Sequence, residues 1–373
     1  KHFPGHGDTD QDSHSLLPVI KADLDRLQKV ELYPFQKAIE QGVEAIMTAH
    51  LYVPALEPEP GLPATLSPRI LTDLLRNKMG FKGLIVTDAL EMAGISRYYS
   101  QEEAALRALK AGVDLLLLPL DPVKVINYLK EAVEKGELPV ERVDESVRRL
   151  LAAKARLGLH HQSLVSIDRL PVVLGQPEFK KIAWQTFESA LTLVKNENNL
   201  LPVPPEKKIV ILSLSSDPGD FYAGRRLATA LTRRYPSART FYADGDTGRE
   251  KLEEALAASL QAEVVIAALF SSLQAGKGSV DLEPGQVELL QKIKEAGRPV
   301  VALSFGSPYF IRHLPGVDSY LCLYRNTPET QELAARAICG EIGISGKLPV
   351  SIPGLYPRGQ GIILERKITQ EEK

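Results

Sequence analysis

The sequence has 373 residues, about two and a half times a typical domain length, which predicts two domains. Its 45 Lys and Arg residues nearly balance 47 Asp and Glu residues, so the charge gives no basis for nucleic acid or an anionic membrane surface as a partner. No apolar run is long enough to cross a bilayer, and two cysteines are too few for a disulfide scaffold or a cysteine zinc site.

The first part of the chain, residues 1–158, alternates short apolar runs with amphipathic helices. Strands are predicted over residues 44–49, 83–87 and 113–118. Helices are predicted over residues 34–41, 67–78, 101–111, 122–135 and 139–157. Because short apolar strands separated by helices are typical of βα units, this part is predicted to be α/β with a parallel sheet.

A second α/β series follows a predicted linker at residues 159–176 and covers residues 177–373. Its predicted strands are residues 191–195, 208–214, 263–269, 299–305 and 319–324, and its predicted helices are residues 225–235, 250–260, 284–296 and 328–339. The simplest arrangement is an open parallel sheet with helices on both faces. The glycine spacing of a dinucleotide-binding motif is absent, so no such cofactor is predicted.

The first fourteen residues, KHFPGHGDTDQDSH, hold three of the seven histidines and three carboxylates. The glycines and proline exclude a helix and predict a loop. A solvated surface loop is one interpretation, and a zinc site made by His2, His6 and His14 is another. Acid–base catalysis by His14, with Asp12 managing its proton, is a third.

A calcium site is disfavoured for the same loop. The spacing of Asp8, Asp10 and Asp12 resembles the start of an EF-hand loop, which needs glycine at its sixth position and glutamate at its twelfth. Ser13 and Val19 stand at those two positions.

A second motif, GLIVTDALEM, places Asp88 directly after a predicted buried strand. In a parallel barrel, catalytic side chains project from the carboxyl ends of the strands. The alternative is that Asp88 caps the helix that follows. The two hypotheses differ in one respect, because a nucleophile needs a partner acid and a helix cap does not.

The two motifs together resemble the β-N-acetylglucosaminidase branch of glycoside hydrolase family 3, in its two-domain form. The resemblance implies the C-terminal part of a (β/α)8 barrel over residues 1–158, followed by an α/β/α sandwich over residues 177–373. It implies Asp88 as nucleophile, His14 as acid/base with Asp12 as its companion, and Lys1 and His2 as sugar contacts. Two further sugar contacts of the family precede the Lys-His pair, so the sequence is expected to be an N-terminally truncated member.

The resemblance also makes a test possible within the sequence. The β-glucosidase branch takes its acid from a Glu of the second domain, in an E-G-x-D-R pattern. The corresponding stretch here, SSLQAGK at residues 271–277, contains no Glu, and Glu283 comes too late to match. The absence agrees with an acid/base at His14.

The implied function is that of a retaining exo-β-N-acetylglucosaminidase acting on peptidoglycan-type fragments through a covalent glycosyl-Asp intermediate, without a metal or cofactor. A β-glucosidase, a xylosidase or a glycoside phosphorylase of the same family stays open, as does a non-catalytic carbohydrate-binding protein. Localisation, cytoplasmic or exported, and the oligomeric state also stay open.

Five other positions can be interpreted from the pattern alone. Trp184 is predicted to be a core residue, and Cys322 and Cys339 are predicted to be buried thiols. His6 is expected to stabilise the motif loop. His50 ends a predicted strand, where a substrate contact and a structural hydrogen bond are equally compatible with the sequence.

Overall fold

The computed structural model describes residues 1–9, 11, 13, 16–220, 223–271 and 281–367. The chain divides into two compact units, Lys1–Ser166 and Ile167–Lys373, each with its own hydrophobic core. Among the described residues, no helix is both long enough and apolar enough to cross a bilayer.

The first unit contains a parallel three-stranded sheet in the order β1-β2-β3. Its strands are β1 (Ala45–Met47), β2 (Leu84–Ala89) and β3 (Leu115–Leu117). Its helices are α1 (Leu24–Lys29), α2 (Tyr33–Glu40), a π-helix (Arg69–Lys78), α3 (Ala93–Ser96), α4 (Gln101–Ala111), α5 (Pro122–Glu134) and α6 (Val140–Arg156), with a 3-10 turn at Ala64–Leu66. Phe3 forms a parallel bridge with Thr48, so the motif loop starts beside the end of β1.

Helix α4 shows how local sequence sets an element of this unit. Ser100 caps its start by accepting a hydrogen bond from the Glu103 amide, and Gly112 ends it with a φ of 114°. Ala105 and Ala108 on its inner face are fully buried in the core of the unit. The predicted bounds of this helix, residues 101–111, are confirmed.

A buried carboxylate fixes the amino end of β3. The Asp114 side chain is fully buried and pairs with Arg76. It also accepts hydrogen bonds from Arg149 at 2.9 Å, from the Ser146 hydroxyl at 2.8 Å and from the Ile85 amide at 3.0 Å. Charged groups are buried only when they are paired and hydrogen-bonded, and Asp114 meets both conditions. This cluster ties α6 and the π-helix to the sheet.

The second unit contains a six-stranded sheet in the order β4-β9-β8-β7-β5-β6. Its strands are β4 (Thr192–Asn196), β5 (Ile209–Ser215), β6 (Arg239–Ala243), β7 (Val264–Phe270), β8 (Val300–Ser304) and β9 (Ser319–Cys322). Its helices are α7 (Leu170–Val173), α8 (Pro177–Ala190), α9 (Arg225–Arg234), α10 (Arg249–Ser259), α11 (Pro284–Glu295) and α12 (Pro328–Cys339), with 3-10 turns at Ile167–Arg169, Glu197–Asn199 and Pro308–Arg312.

Two details of this sheet differ from the sequence prediction. The edge strand β4 pairs antiparallel with β9, so the sheet is mixed rather than fully parallel. A short apolar run is compatible with both parallel and antiparallel pairing, and the chain connection to the next element decides which pairing forms. The other edge strand, β6, was not predicted because its residues are only partly buried and polar residues interrupt its pattern.

Candidate active site

Asp88 lies at the carboxyl end of β2, on an irregularity of the sheet. Val86 pairs with Leu115 and Ala89 pairs with Leu117, so three steps along β2 match two along β3. Such a β-bulge bends the strand and redirects the side chains of the extra residue. The buried Thr87 hydroxyl accepts a 2.9 Å hydrogen bond from the Leu117 amide, which satisfies a donor inside the bulge.

The bulge leaves the Asp88 carboxylate partly exposed and held at both oxygens. One oxygen, Oδ1, accepts a 2.9 Å hydrogen bond from the Ala89 amide. The other, Oδ2, lies 3.5 Å from His2 Nε2, and 19% of the Asp88 side chain is exposed. A partly exposed carboxylate that the backbone orients through one oxygen is suited to act as a nucleophile.

The strand runs further than predicted, and the capping alternative is wrong. Asp88 lies inside β2 rather than after it. The following helix, α3, starts at Ala93 and its N-cap position is Met92, which makes no side-chain cap. The Asp88 side chain instead binds the amide of its own neighbour, Ala89.

His2 brings the first motif to the same point. Burial lowers the pKa of His2 below its ordinary value, and the attraction of Asp88 opposes that shift only in part. Lys1 and His6 add repulsion that lowers the pKa further. His2 is therefore neutral at pH 7 and available as a hydrogen-bonding group beside the carboxylate.

An open cavity lies along the motif loop. Its volume is about 430 Å³, within the range of small-molecule sites, about 300–1,000 Å³. Lys1, His2, His6 and Glu31 are among its lining residues. The Glu31 side chain is 8% exposed, and its Oε2 atom has no hydrogen-bond partner among the described residues. The two predicted sugar contacts, Lys1 and His2, thus share one polar cavity.

Ser13 holds the described end of the motif loop. It is buried, its carbonyl accepts a 3.2 Å hydrogen bond from the Gly94 amide, and its hydroxyl lies 3.1 Å from His6 Nε2. A Cβ atom at Gly94 would come within 2.9 Å of that carbonyl oxygen, so glycine is needed there. His6 contacts the loop as the sequence led us to expect.

The predicted acid/base pair, Asp12 and His14, lies outside the described residues. The zinc hypothesis also involves His14, so it too depends on a residue outside the described ranges. Across the part of the chain that the structure describes, no group of three or more His, Cys, Asp or Glu side chains is arranged to hold a metal ion.

His50 is 1% exposed and forms structural hydrogen bonds, which decides between the two interpretations of its position. Its Nδ1 lies 2.9 Å from Thr65 Oγ1, and its Nε2 lies 3.0 Å from the Ala89 carbonyl oxygen. Sequence reasoning missed Thr65 and Thr87, since a lone threonine in an apolar stretch gives no functional signal.

In the second unit, the three residues whose burial was predicted lie in or against the hydrophobic core. Trp184 is partly buried against it, with the Arg336 guanidinium 6.0 Å from the ring centroid. Cys322 is fully buried and Cys339 is partly buried; both are free thiols, and burial raises the pKa of each.

Comparison with known proteins identifies the family. The model of the glycosyl hydrolase family 3 N terminal domain matches residues 1–153, and that of the family's C-terminal domain matches residues 191–361. The chain belongs to glycoside hydrolase family 3. This membership confirms the predicted fold class, a barrel part followed by an α/β sandwich domain.

Several family 3 proteins are similar over most of the chain. A "Beta-hexosaminidase A" from Pseudoalteromonas piscicida is 32% identical over 80% of this chain. A solved family 3 beta-N-acetylglucosaminidase from Paenibacillus sp. str. FPU-7 is 31% identical, with a TM-score of 0.79 over 93% of this chain. A solved beta-glucoside phosphorylase bound to 2FGlc is 26% identical, with a TM-score of 0.80 over 93% of this chain.

These relatives are longer than this chain. It spans 50% of the Pseudoalteromonas protein, 65% of the Paenibacillus chain and 64% of the phosphorylase chain.

Proposed function

We propose that this chain carries the nucleophile and the acid/base of a retaining exo-β-N-acetylglucosaminidase that removes terminal N-acetylglucosamine from peptidoglycan-type fragments. The observation that carries the proposal is the Asp88 carboxylate on the β2 bulge, partly exposed and 3.5 Å from His2. Residues 1–158 would be the C-terminal half of the catalytic barrel, residues 159–176 a linker and residues 177–373 the sandwich domain.

In the first chemical step, Asp88 Oδ2 attacks the anomeric carbon while the bond to the leaving oxygen breaks. The His14 imidazolium gives its proton to that oxygen, and a glycosyl-Asp88 ester forms. In the second step, neutral His14 takes a proton from water, and the water oxygen displaces the carboxylate from the anomeric carbon. Two inversions return the sugar in its original configuration.

Asp12 would orient the His14 ring and stabilise its protonated form, as the aspartate of a serine protease triad does. Lys1 and His2 would bind sugar hydroxyls beside Asp88, since both line the cavity of the motif loop. A neutral His2 would bind them without neutralising the attacking carboxylate.

Two observations favour an aminosugar substrate. The stretch at residues 271–277 contains no Glu that could act as an acid from the second unit. The Pseudoalteromonas relative is named a beta-hexosaminidase, and the Paenibacillus structure is that of a beta-N-acetylglucosaminidase.

The test uses the full protein and aryl β-N-acetylglucosaminide, β-glucoside and β-xyloside substrates. We expect the N-acetylglucosaminide to give the highest kcat/KM, and Asp88→Asn to lower it by at least about 10³-fold. Asp73→Asn, on an exposed position of the π-helix, is the matched control and should leave the rate unchanged. Preference for the glucoside or xyloside would contradict the substrate, and an active Asp88→Asn variant would contradict the nucleophile.

A phosphorylase is the second candidate. The similarity to the beta-glucoside phosphorylase favours it. A histidine acid/base favours it as well, because its neutral form repels an incoming phosphate less than a carboxylate would. In that reaction phosphate oxygen, rather than water, would displace Asp88. Formation of a sugar 1-phosphate that rises with phosphate concentration would favour the phosphorylase; its absence, with free sugar as product, would favour the hydrolase.

A further inference from the structure

The buried His50 side chain contacts the backbone carbonyl of the residue that follows the proposed nucleophile. Its Nε2 lies 3.0 Å from the carbonyl oxygen of Ala89, a residue of β2 that follows Asp88 directly. The same carbonyl oxygen accepts a 3.1 Å hydrogen bond from the Met92 amide. His50 thus binds the backbone of the bulged strand and does not line the cavity of the motif loop.

The contact with Ala89 determines which ring nitrogen of His50 donates a hydrogen bond. A carbonyl oxygen only accepts, so Nε2 must carry the proton that points at Ala89. Burial lowers the pKa of His50, which keeps the ring neutral at pH 7 despite the attraction of Asp88; His2 adds repulsion. On the other side of the ring, Nδ1 lies 2.9 Å from Thr65 Oγ1.

Thr65 is itself oriented by a second hydroxyl. Thr48 Oγ1 lies 2.8 Å from Thr65 Oγ1 and donates to it, because the Thr65 hydroxyl gives its own proton to the Ala49 carbonyl oxygen, 3.0 Å away. Both threonines are fully buried. The ring therefore has a fixed orientation, supplied by the end of β1 and by the 3-10 turn at Ala64–Leu66.

The backbone of Ala89 is held through two successive peptide groups. The carbonyl of the Ala89–Leu90 peptide accepts from His50, and the N–H of the Asp88–Ala89 peptide donates to Asp88 Oδ1 at 2.9 Å. A change in the backbone dihedral angles of Ala89 would break the hydrogen bond to the carboxylate and turn Asp88 Oδ2 away from its position near His2. The Leu90 amide donates to the Leu117 carbonyl oxygen at 2.9 Å, and His50 adds a side-chain hydrogen bond at the carbonyl of the same peptide.

We infer that His50 is a positioning residue for Asp88: it fixes the Ala89 carbonyl, and the Ala89 amide in turn fixes the attacking carboxylate. The inference rests on the proposed role of Asp88 as nucleophile. His50 does not touch the sugar, so its loss should lower kcat and leave KM near its original value, because only the attack geometry changes.

Two substitutions of similar size separate positioning from general stability. The amide of His50→Gln reaches the former Nε2 position and can donate to Ala89, whereas the amide of His50→Asn reaches only the former Nδ1 position. In the full protein, we expect His50→Gln to keep kcat within about 5-fold and His50→Asn to lose about 10²-fold, both with KM little changed. The same changes at exposed His160 are the matched controls.

Each outcome bears on a separate claim. With folding checked by circular dichroism and the assay run well below Tm, wild-type kcat in His50→Asn would overturn the positioning role, as would equal loss in both variants. An active Asp88→Asn variant would overturn the proposed nucleophile instead, and the inference would fall with it.

Discussion

His2 Nε2 lies 3.5 Å from Asp88 Oδ2, and this contact joins the two sequence motifs at one point. Phe3, the next residue along the chain, pairs with Thr48 at the end of β1, which places the first motif along β1, one strand away from Asp88 on β2. A carboxylate and a neutral imidazole at this separation form a polar pair that can engage one sugar from two sides.

The charge state of His2 should respond to Asp88. Burial lowers the pKa of His2, while the negative charge of Asp88 partly raises it again. Asp88→Asn removes that attraction, so the pKa of His2 should fall further. Imidazole titration by NMR on the full protein measures it, with exposed His160 as the unchanged reference. A rise in the His2 pKa in the variant would contradict the account.

The acid/base role of His14 predicts a dependence on the leaving group. His14→Ala should cost about 10²–10⁴-fold in kcat/KM for alkyl glycosides, whose leaving oxygen needs a proton. Aryl glycosides with acidic leaving groups should lose far less in the glycosylation step. His161→Ala, at an exposed position, is the matched control. Equal losses on both substrate types would argue against His14 as the acid.

The buried neutral His50 should make folding stability depend on pH. Its pKa in the folded protein is lowered, so between that value and the unfolded value of about 6.5 the unfolded chain binds more protons. Stability from this group is present above pH 6.5 and is lost as the pH falls. Urea unfolding from pH 7.5 to pH 5 should show a flatter decline for His50→Gln than for the wild type. Parallel curves would show that His50 binds protons equally in the folded and the unfolded chain, which would contradict the lowered pKa.

Asp114 should dominate the electrostatic stability of the first unit. Asp114→Asn leaves Arg76 and Arg149 without their buried partner, and we expect a loss of about 3–5 kcal/mol in the free energy of unfolding. The control is Asp144→Asn, which removes an exposed carboxylate 3.5 Å from Arg148 and should be close to neutral. Chemical unfolding measures both, and equal effects would contradict the special role of the buried cluster.

Much of the fold was predictable from local patterns. The strong helical periodicity and the clear caps of α4 predicted that helix. Continuous apolar runs predicted β5 and β7, whose residues are all buried. The direction of β4 was not predictable, because strand pairing depends on contacts distant in sequence. The strand β6 was missed for a different reason, because its residues are only partly buried and polar residues interrupt its pattern.

The sequence predicted that the two motifs meet, but not the geometry of their contact. The motifs predicted Asp88 and His2, and the structure brings these two together. The β-bulge that turns Asp88 was not predictable, since it arises from the register between β2 and β3. The role of Asp114 was also missed, although a charged residue inside an apolar run was a usable signal.

The central claim is a covalent bond between the sugar and Asp88, and mass spectrometry tests it most directly. The full protein would be incubated with a fluorinated N-acetylglucosaminide that forms the intermediate faster than water removes it, then digested with protease. The account predicts one added sugar on the peptide that contains Asp88, and none in Asp88→Asn. An adduct on another residue, or a product of inverted configuration, would contradict it.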